Sequence, residues 1–160
     1  MKKKKGEGIY QNVENVYRKA FCDGKSRPLL NGEIHPFCAN FEGPGTRIDL
    51  PEVRNYPPFN GVDSVAKVHD LEYEKAFKLP KGKERENKIR EADDRFLRDI
   101  EKYRNEEPYY SIGKAGIGAK VLTEKIGLPI LPKDYKGGCL VCYGGRLCNI
   151  CKIRGGCFYG

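Results

Sequence analysis

Apolar residues recur three or four positions apart in four stretches of this chain, and that spacing predicts helices. In IYQNVENVYRKAF, residues 9–21, the stripe is Val13, Val16, Tyr17, Ala20 and Phe21. From about Val62 to Phe77 it is Val62, Val65, Ala66, Tyr73, Ala76 and Phe77. Asn60 is placed to cap that helix, with Asp63 at N3, where a negative charge suits the positive end. LPKGK, residues 79–83, breaks the pattern, and a new stripe runs from about Glu84 to Arg104 through Ile89, Ala92, Phe96, Leu97, Ile100 and Tyr103. So short a break predicts an antiparallel helix hairpin. Pro108 ends that region. A further helix, roughly Lys114 to Ile126, places Ala115, Ala119, Leu122 and Ile126 on one side, with Gly127 and Pro129 as its stop. FEGPGT, residues 41–46, reads as a tight turn. Residues 47–60, with Pro51, Pro57 and Pro58, read as a loop or lid, and residues 1–8 as disordered. The fold class expected is mainly α.

Two polar residues interrupt the hairpin stripes. His69 lies at i+3 from Ala66 and i−4 from Tyr73; Asp93 lies at i−3 from Phe96. Facing helices would each bring one titratable group to the seam. An isolated buried carboxylate is costly, whereas a His–Asp pair satisfies both groups and fixes the ring tautomer. A lone histidine on an apolar face is commonly a satisfied core residue; Asp93 and Asp70 give the functional reading its weight. Asp70 lies about 100° around the helix from His69, on a flank that FEGPGT can reach. Gly43 and Gly45 let that turn point carbonyl oxygens inward. Carbonyls with a carboxylate and water suit a hard cation, calcium best.

Charge and cysteine sharpen the outline. The net charge is +8, but residues 1–30 carry +5, residues 131–160 carry +4 and the middle carries −1. The basic character therefore belongs to the ends, where it suits anionic lipid, nucleic acid, an import receptor or mere solubility. Nucleic acid is not the expected partner of the central region. MKKKK lacks an apolar run behind it, so it does not read as a secretory signal. No run of 18 apolar residues is present, which excludes a spanning helix by length. Cys22 and Cys38 lie early, none occurs between 39 and 138, and five fall in the last 22 residues. The centre is thus expected to hold together without internal disulfides, as an intracellularly made protein would. The tail repeats C-x2-C-x5. Cys139, Cys142, Cys148 and Cys151 admit one four-thiolate zinc site, disulfides formed after assembly or release, or acylated or free thiols. His35 and Cys38 are a weaker ligand pair. Gly113 to Gly118 has phosphate-loop glycine spacing, but Ala119 follows where lysine is needed, which rejects nucleotide binding.

FEGPGT, then NGVDSVAKVHDLEY, then EADDRFL, in that order, resemble the phospholipase A2 domain of parvovirus and densovirus capsid proteins, over about residues 36–130. The resemblance implies an antiparallel helix pair with a calcium-binding loop and a third helix, to which the cysteine positions add a Cys-rich tail. It divides the chain into a basic segment with a short helix (1–35), a phospholipase A2-like domain (36–130) and a Cys-rich basic tail (131–160). It implies that the carbonyls of Phe41, Gly43 and Gly45 and the Asp70 carboxylate hold calcium. His69 would be the general base, Asp93 would orient it, Tyr73 would bond Asp93, and the Gly43 N–H would serve an oxyanion. Asp94 reads as a solvated surface charge. Phe41 stands where the family usually has Tyr, and the span from loop to His69 is longer than usual, which alters the lid. The implied activity is calcium-dependent hydrolysis of the phospholipid sn-2 ester, with the acyl chain in a dry slot between the helices. The implied setting is a virion breaching the endosomal membrane, with other capsid proteins as partners; MKKKK reads alternatively as a membrane-docking patch or as an import signal for the host nucleus during assembly. The rival readings are a non-catalytic lipid- or partner-binding module of the same fold, and a basic nucleic-acid-binding protein with a zinc tail.

Overall fold

The computed structural model describes residues 9–126 apart from Asn31. The lysine run, the Gly127–Pro129 stop and the cysteine tail, with Cys139, Cys142, Cys148 and Cys151, lie outside the described residues. Among the described residues the structure is helical, with no strand: α1 (Ile9–Phe21), α2 (Pro51–Arg54), α3 (Gly61–Phe77), α4 (Lys83–Asp99), a 3-10 turn (Ile100–Tyr103) and α5 (Tyr109–Lys125). No described helix is long and apolar enough to cross a membrane.

The hairpin forms as the stripes predict. Gly61 packs on the Tyr103 ring at one end, and His69 meets Asp93 further along, so α3 and α4 run in opposite directions. Val62, Ala66, Phe96 and Ile100 join Phe41, Ile48 and Val53 in one buried core. The start of α3 is fully satisfied. Asn60 Oδ1 accepts the Asp63 N–H at 2.8 Å, and Glu106 accepts those of Gly61 and Val62 at 3.2 and 2.8 Å. These are the donors a helix start leaves without intrahelical partners, and the Glu106 charge suits the positive helix end.

Three expectations need correction, and one weak reading is closed. The proline-rich stretch is not all loop: Pro51, with φ preset for a first helical turn, opens α2. There Val53 enters the core, and Arg54 pairs with Glu74 at 2.5 Å. The α5 helix begins at Tyr109, five residues before the expected Lys114, and its apolar stripe faces outward. Ala115, Ala119, Leu122 and Ile126 are exposed, while Gly113, Lys120 and Val121 are buried. The reason is close packing. A Cβ on Gly113 would stand 3.0 Å from Ile100 and 3.2 Å from Phe96, so the helix can approach only along its glycine. In the same way α1 turns Val13, Val16 and Phe21 outward, at 65, 70 and 70 % exposure, and docks by its polar side. Asn15 accepts the Leu29 N–H at 2.8 Å, and Arg18 is buried. Finally, Cys38 is no candidate metal ligand, because it is bonded to Cys22 in a buried disulfide.

Candidate active site

The FEGPGT turn is fixed from below by α3. The buried Asp63 carboxylate receives the N–H groups of Asn40, Phe41 and Glu42 on Oδ1 at 3.1, 2.8 and 2.9 Å. Its Oδ2 receives that of Phe59 at 2.8 Å and a second contact from Asn40 at 2.9 Å. Sequence reading gave this residue only a helix-end role; an acidic residue at N3 carries no signal of the loop it holds.

From the side, residues 32–35 lie against the turn. Ile34 N–H donates to Pro44 O at 3.1 Å. Gly43 and Gly45 have φ of +134° and +89°, and a Cβ on them would stand 2.1 Å from Ile34 O and 2.5 Å from Gly32 O. Only glycine allows both the dihedral and the approach. Beneath lies a buried ion pair, Arg27 on Glu33 at 2.6 and 2.7 Å, with Arg27 also bonding Asn40 O at 2.8 Å.

The turn's oxygens converge. Thr46 Oγ1 lies 3.2 Å from Phe41 O, 3.3 Å from Gly43 O and 3.2 Å from His35 Nε2, and it lies beside the Asp70 carboxyl. His35 is buried, which lowers its pKa to about 3 and keeps it neutral. The Asp70 Oδ2 is buried without a hydrogen-bond partner. Burial, and the nearby charges of Asp63 and Glu33, push the Asp70 carboxyl well above the usual carboxylate range, against the pull of Thr46. A partnerless carboxylate oxygen on Asp70, joined through Thr46 to two turn carbonyls, is a donor set that fits a hard cation. Among the described residues no three His, Cys, Asp or Glu side chains come together as a metal cluster. A cation here would therefore rest on backbone oxygens and one carboxylate.

His69 joins this turn to the helix seam. Its Nε2 lies 2.9 Å from Asp93 Oδ1, its Nδ1 lies 4.0 Å from Asp70 Oδ1, and the residue is 8 % exposed. With Asp93 ionised, Nε2 carries the proton and Nδ1 has a free lone pair. The Tyr73 hydroxyl donates to the same Asp93 oxygen at 2.5 Å, and its ring stacks on the imidazole at 4.2 Å between centroids. Asp93 is fully buried. Burial alone would raise its pKa, but bonds from His69, Lys120 and Tyr73 hold it below the usual range. The Tyr73 phenol is pushed up by burial and by Asp93, so it stays a donor. Asp94, next along, is exposed.

The structure thus brings together the residues that sequence placed apart: Phe41 and Gly43 by their oxygens, Asp70, His69, Asp93 and Tyr73, with Gly45 closing the turn. It adds two that sequence reading missed. Lys120, on the inner side of α5, bonds Asp93 Oδ2. Glu42 is buried, and neither of its oxygens makes a hydrogen bond of good geometry, although the Gly113 backbone lies beside them. Burial and Asp63 push its carboxyl up to about 8. A cleft along the seam reaches His69 between Val65, Val68, Ala92, Phe96 and Tyr103. Charged residues stand on its rim, Arg95 pairing with Glu72, so it is not the uniformly dry slot the helix stripes suggest.

The site is thus a paired histidine beside a glycine-rich oxygen turn, carried on a helix hairpin. A family model described as the phospholipase A2-like domain matches residues 32–120, more than half of the chain, and the chain belongs to this family. The resemblance read from its three motifs is therefore borne out at the level of the family. Comparisons with curated proteins and with solved structures found no match.

Proposed function

We propose that the protein is a calcium-dependent phospholipase A2, hydrolysing the sn-2 ester of phospholipids. The observation that supports this best is the position of His69, anchored through Nε2 to Asp93, with Nδ1 turned toward Asp70 and the oxygen turn. The carbonyls of Phe41, Gly43 and Gly45 and the Asp70 carboxylate would hold the cation. When bound, calcium supplies Lewis-acid polarisation of the ester and a partner for the substrate phosphate. His69 Nδ1 takes a proton from the attacking water and returns it to the leaving alcohol. General-base help of this kind contributes about 10²–10⁴-fold. Asp93 holds the imidazole in the tautomer that leaves Nδ1 free. Tyr73 fixes Asp93, and the Gly43 N–H donates toward the developing oxyanion. The products are a lysophospholipid and a fatty acid.

A phospholipid membrane is the proposed partner. Apolar side chains are exposed on α1 (Val13, Val16 and Phe21) and along α5 to its C-cap (Ile112, Leu122 and Ile126). The +8 charge favours anionic lipid, at about 1 kcal/mol per basic residue near such a surface. The proposed setting is a virion-borne enzyme acting on the endosomal membrane, beside other capsid proteins.

The test is fatty acid release from mixed phospholipid vesicles, in calcium and then in excess chelator. Calcium-dependent release of the sn-2 chain, lost in folded His69→Gln and in folded Asp70→Asn, is expected. Near-normal hydrolysis by either variant refutes the assignment. No release by the wild type in calcium leaves a lipid- or partner-binding module as the better reading.

A further inference from the structure

We propose that Lys120 is a positioning residue for this chemistry, holding Asp93 as an oriented anion behind His69. The inference rests on the phospholipase reading above. Lysine is rarely buried unless paired, yet Lys120 is 7 % exposed. It stands on the inner stripe of α5 with Gly113 and Ile117, on the side that close packing turns toward the hairpin. Its ammonium bonds Asp93 Oδ2, lies 2.8 Å from Glu124 Oε1, and sits 5.8 Å from the centre of the Tyr73 ring.

The division of labour on Asp93 gives the reason. Oδ1 already takes two donors, the His69 Nε2–H and the Tyr73 hydroxyl. Oδ2 takes the third, from Lys120. Without it, one end of a fully buried carboxylate would lose its partner, at a cost greater than the bond's own worth. Three donors on two oxygens also fix the carboxylate plane, and so the direction of the bond to His69. The charges suit the task. Lys120 bonds Asp93 and Glu124 together, so it is shared between two carboxylates and is not spent on Asp93 alone. A merely structural lysine would tie α5 to the hairpin and nothing more.

The experiment uses the full chain and micellar phospholipid, with kcat, KM and calcium affinity measured separately. Lys120→Met, nearly isosteric and uncharged, is expected to lower kcat by roughly 10–100-fold, the size of effect that follows loss of an outer partner behind a metal-site ligand. KM and calcium affinity should stay at wild-type values. In Lys120→Ala, added propylamine should fill the vacated space and restore part of kcat, while leaving the wild type unchanged. This variant gives the same readout if the methionine variant does not fold. Adding Lys120→Met to Asp93→Asn should cost little more, because Lys120 acts on His69 only through Asp93. A folded Lys120→Met with wild-type kcat overturns the proposal. So does a loss that raises KM equally, ignores propylamine and adds in full to Asp93→Asn. An inactive wild type would instead sink the phospholipase reading and this role with it.

Discussion

Replacing Asp63 with asparagine tests whether the oxygen turn is built by α3 or forms by itself. The side chain keeps its size and one acceptor oxygen but loses its charge. If Oδ1 retains its three donors, those bonds pass from charge-assisted to neutral. Hydrogen bonds to charged groups contribute about 1.5–3 kcal/mol and neutral ones about 0.5–1.5 kcal/mol, so three together weaken by about 3–4.5 kcal/mol. The Phe59 N–H, now 2.8 Å from Oδ2, would face an amide NH2 and be left unpaired, costing about 1–3 kcal/mol more. Relaxation of the loop returns part of this, so an unfolding loss of about 3–5 kcal/mol is expected, at the upper end for a single substitution. Urea unfolding of wild type and Asp63→Asn, with a chelator present, reads it directly. The same variant, where folded, should need more calcium for half-maximal hydrolysis, because Phe41 and Glu42 lose their anchor. A stability loss below about 1 kcal/mol, the worth of one neutral bond, with unchanged calcium dependence would refute the argument that Asp63 holds the turn.

Three further outcomes are expected. Gly43→Ala should abolish calcium-dependent hydrolysis, since its Cβ would stand 2.1 Å from Ile34 O; full activity would mean the turn does not need that approach. In chelator, stability should peak in mildly acid solution. His35 titrates near 3 when folded and 6.5 when unfolded, so the unfolded chain binds the extra proton and stability falls as pH drops through that window, by up to about 5 kcal/mol. Glu42 works the other way: its carboxyl, raised from 4.5 to about 8, loses its stabilising effect as pH rises through that range. Glu42→Gln should flatten the alkaline limb of urea midpoints measured against pH, and an unchanged limb would contradict this. Breaking the Cys22–Cys38 bond, which spans 16 residues, by the double serine variant should lower stability by about 3 kcal/mol. An unchanged urea midpoint would show that the bond constrains nothing.

The hairpin was legible because its two stripes are long and regular, and because a polar residue breaking such a stripe stands out. That is how His69 and Asp93 were found, and Asp70 and the turn glycines followed from what lies next to His69 and what only glycine permits. The end helices misled for a physical reason. Periodicity shows that a helix has two unlike faces, but not which one the rest of the molecule accepts. On α5 the face with the larger apolar side chains lost to the face with Gly113, since only a residue without Cβ fits against Ile100 and Phe96. On α1 the polar side won, because Asn15 and Arg18 meet backbone groups of the next segment. Lys120 and Asp63 were hidden for the same cause: each reads as an ordinary helix charge until the chain brings Asp93 or the N–H groups of residues 40–42 against it. The sequence by itself therefore determined the hairpin helices and the paired histidine. Tertiary structure alone decided which faces are buried and which charges are shared, because burial is a property of the partner surface and not of the spacing along the chain.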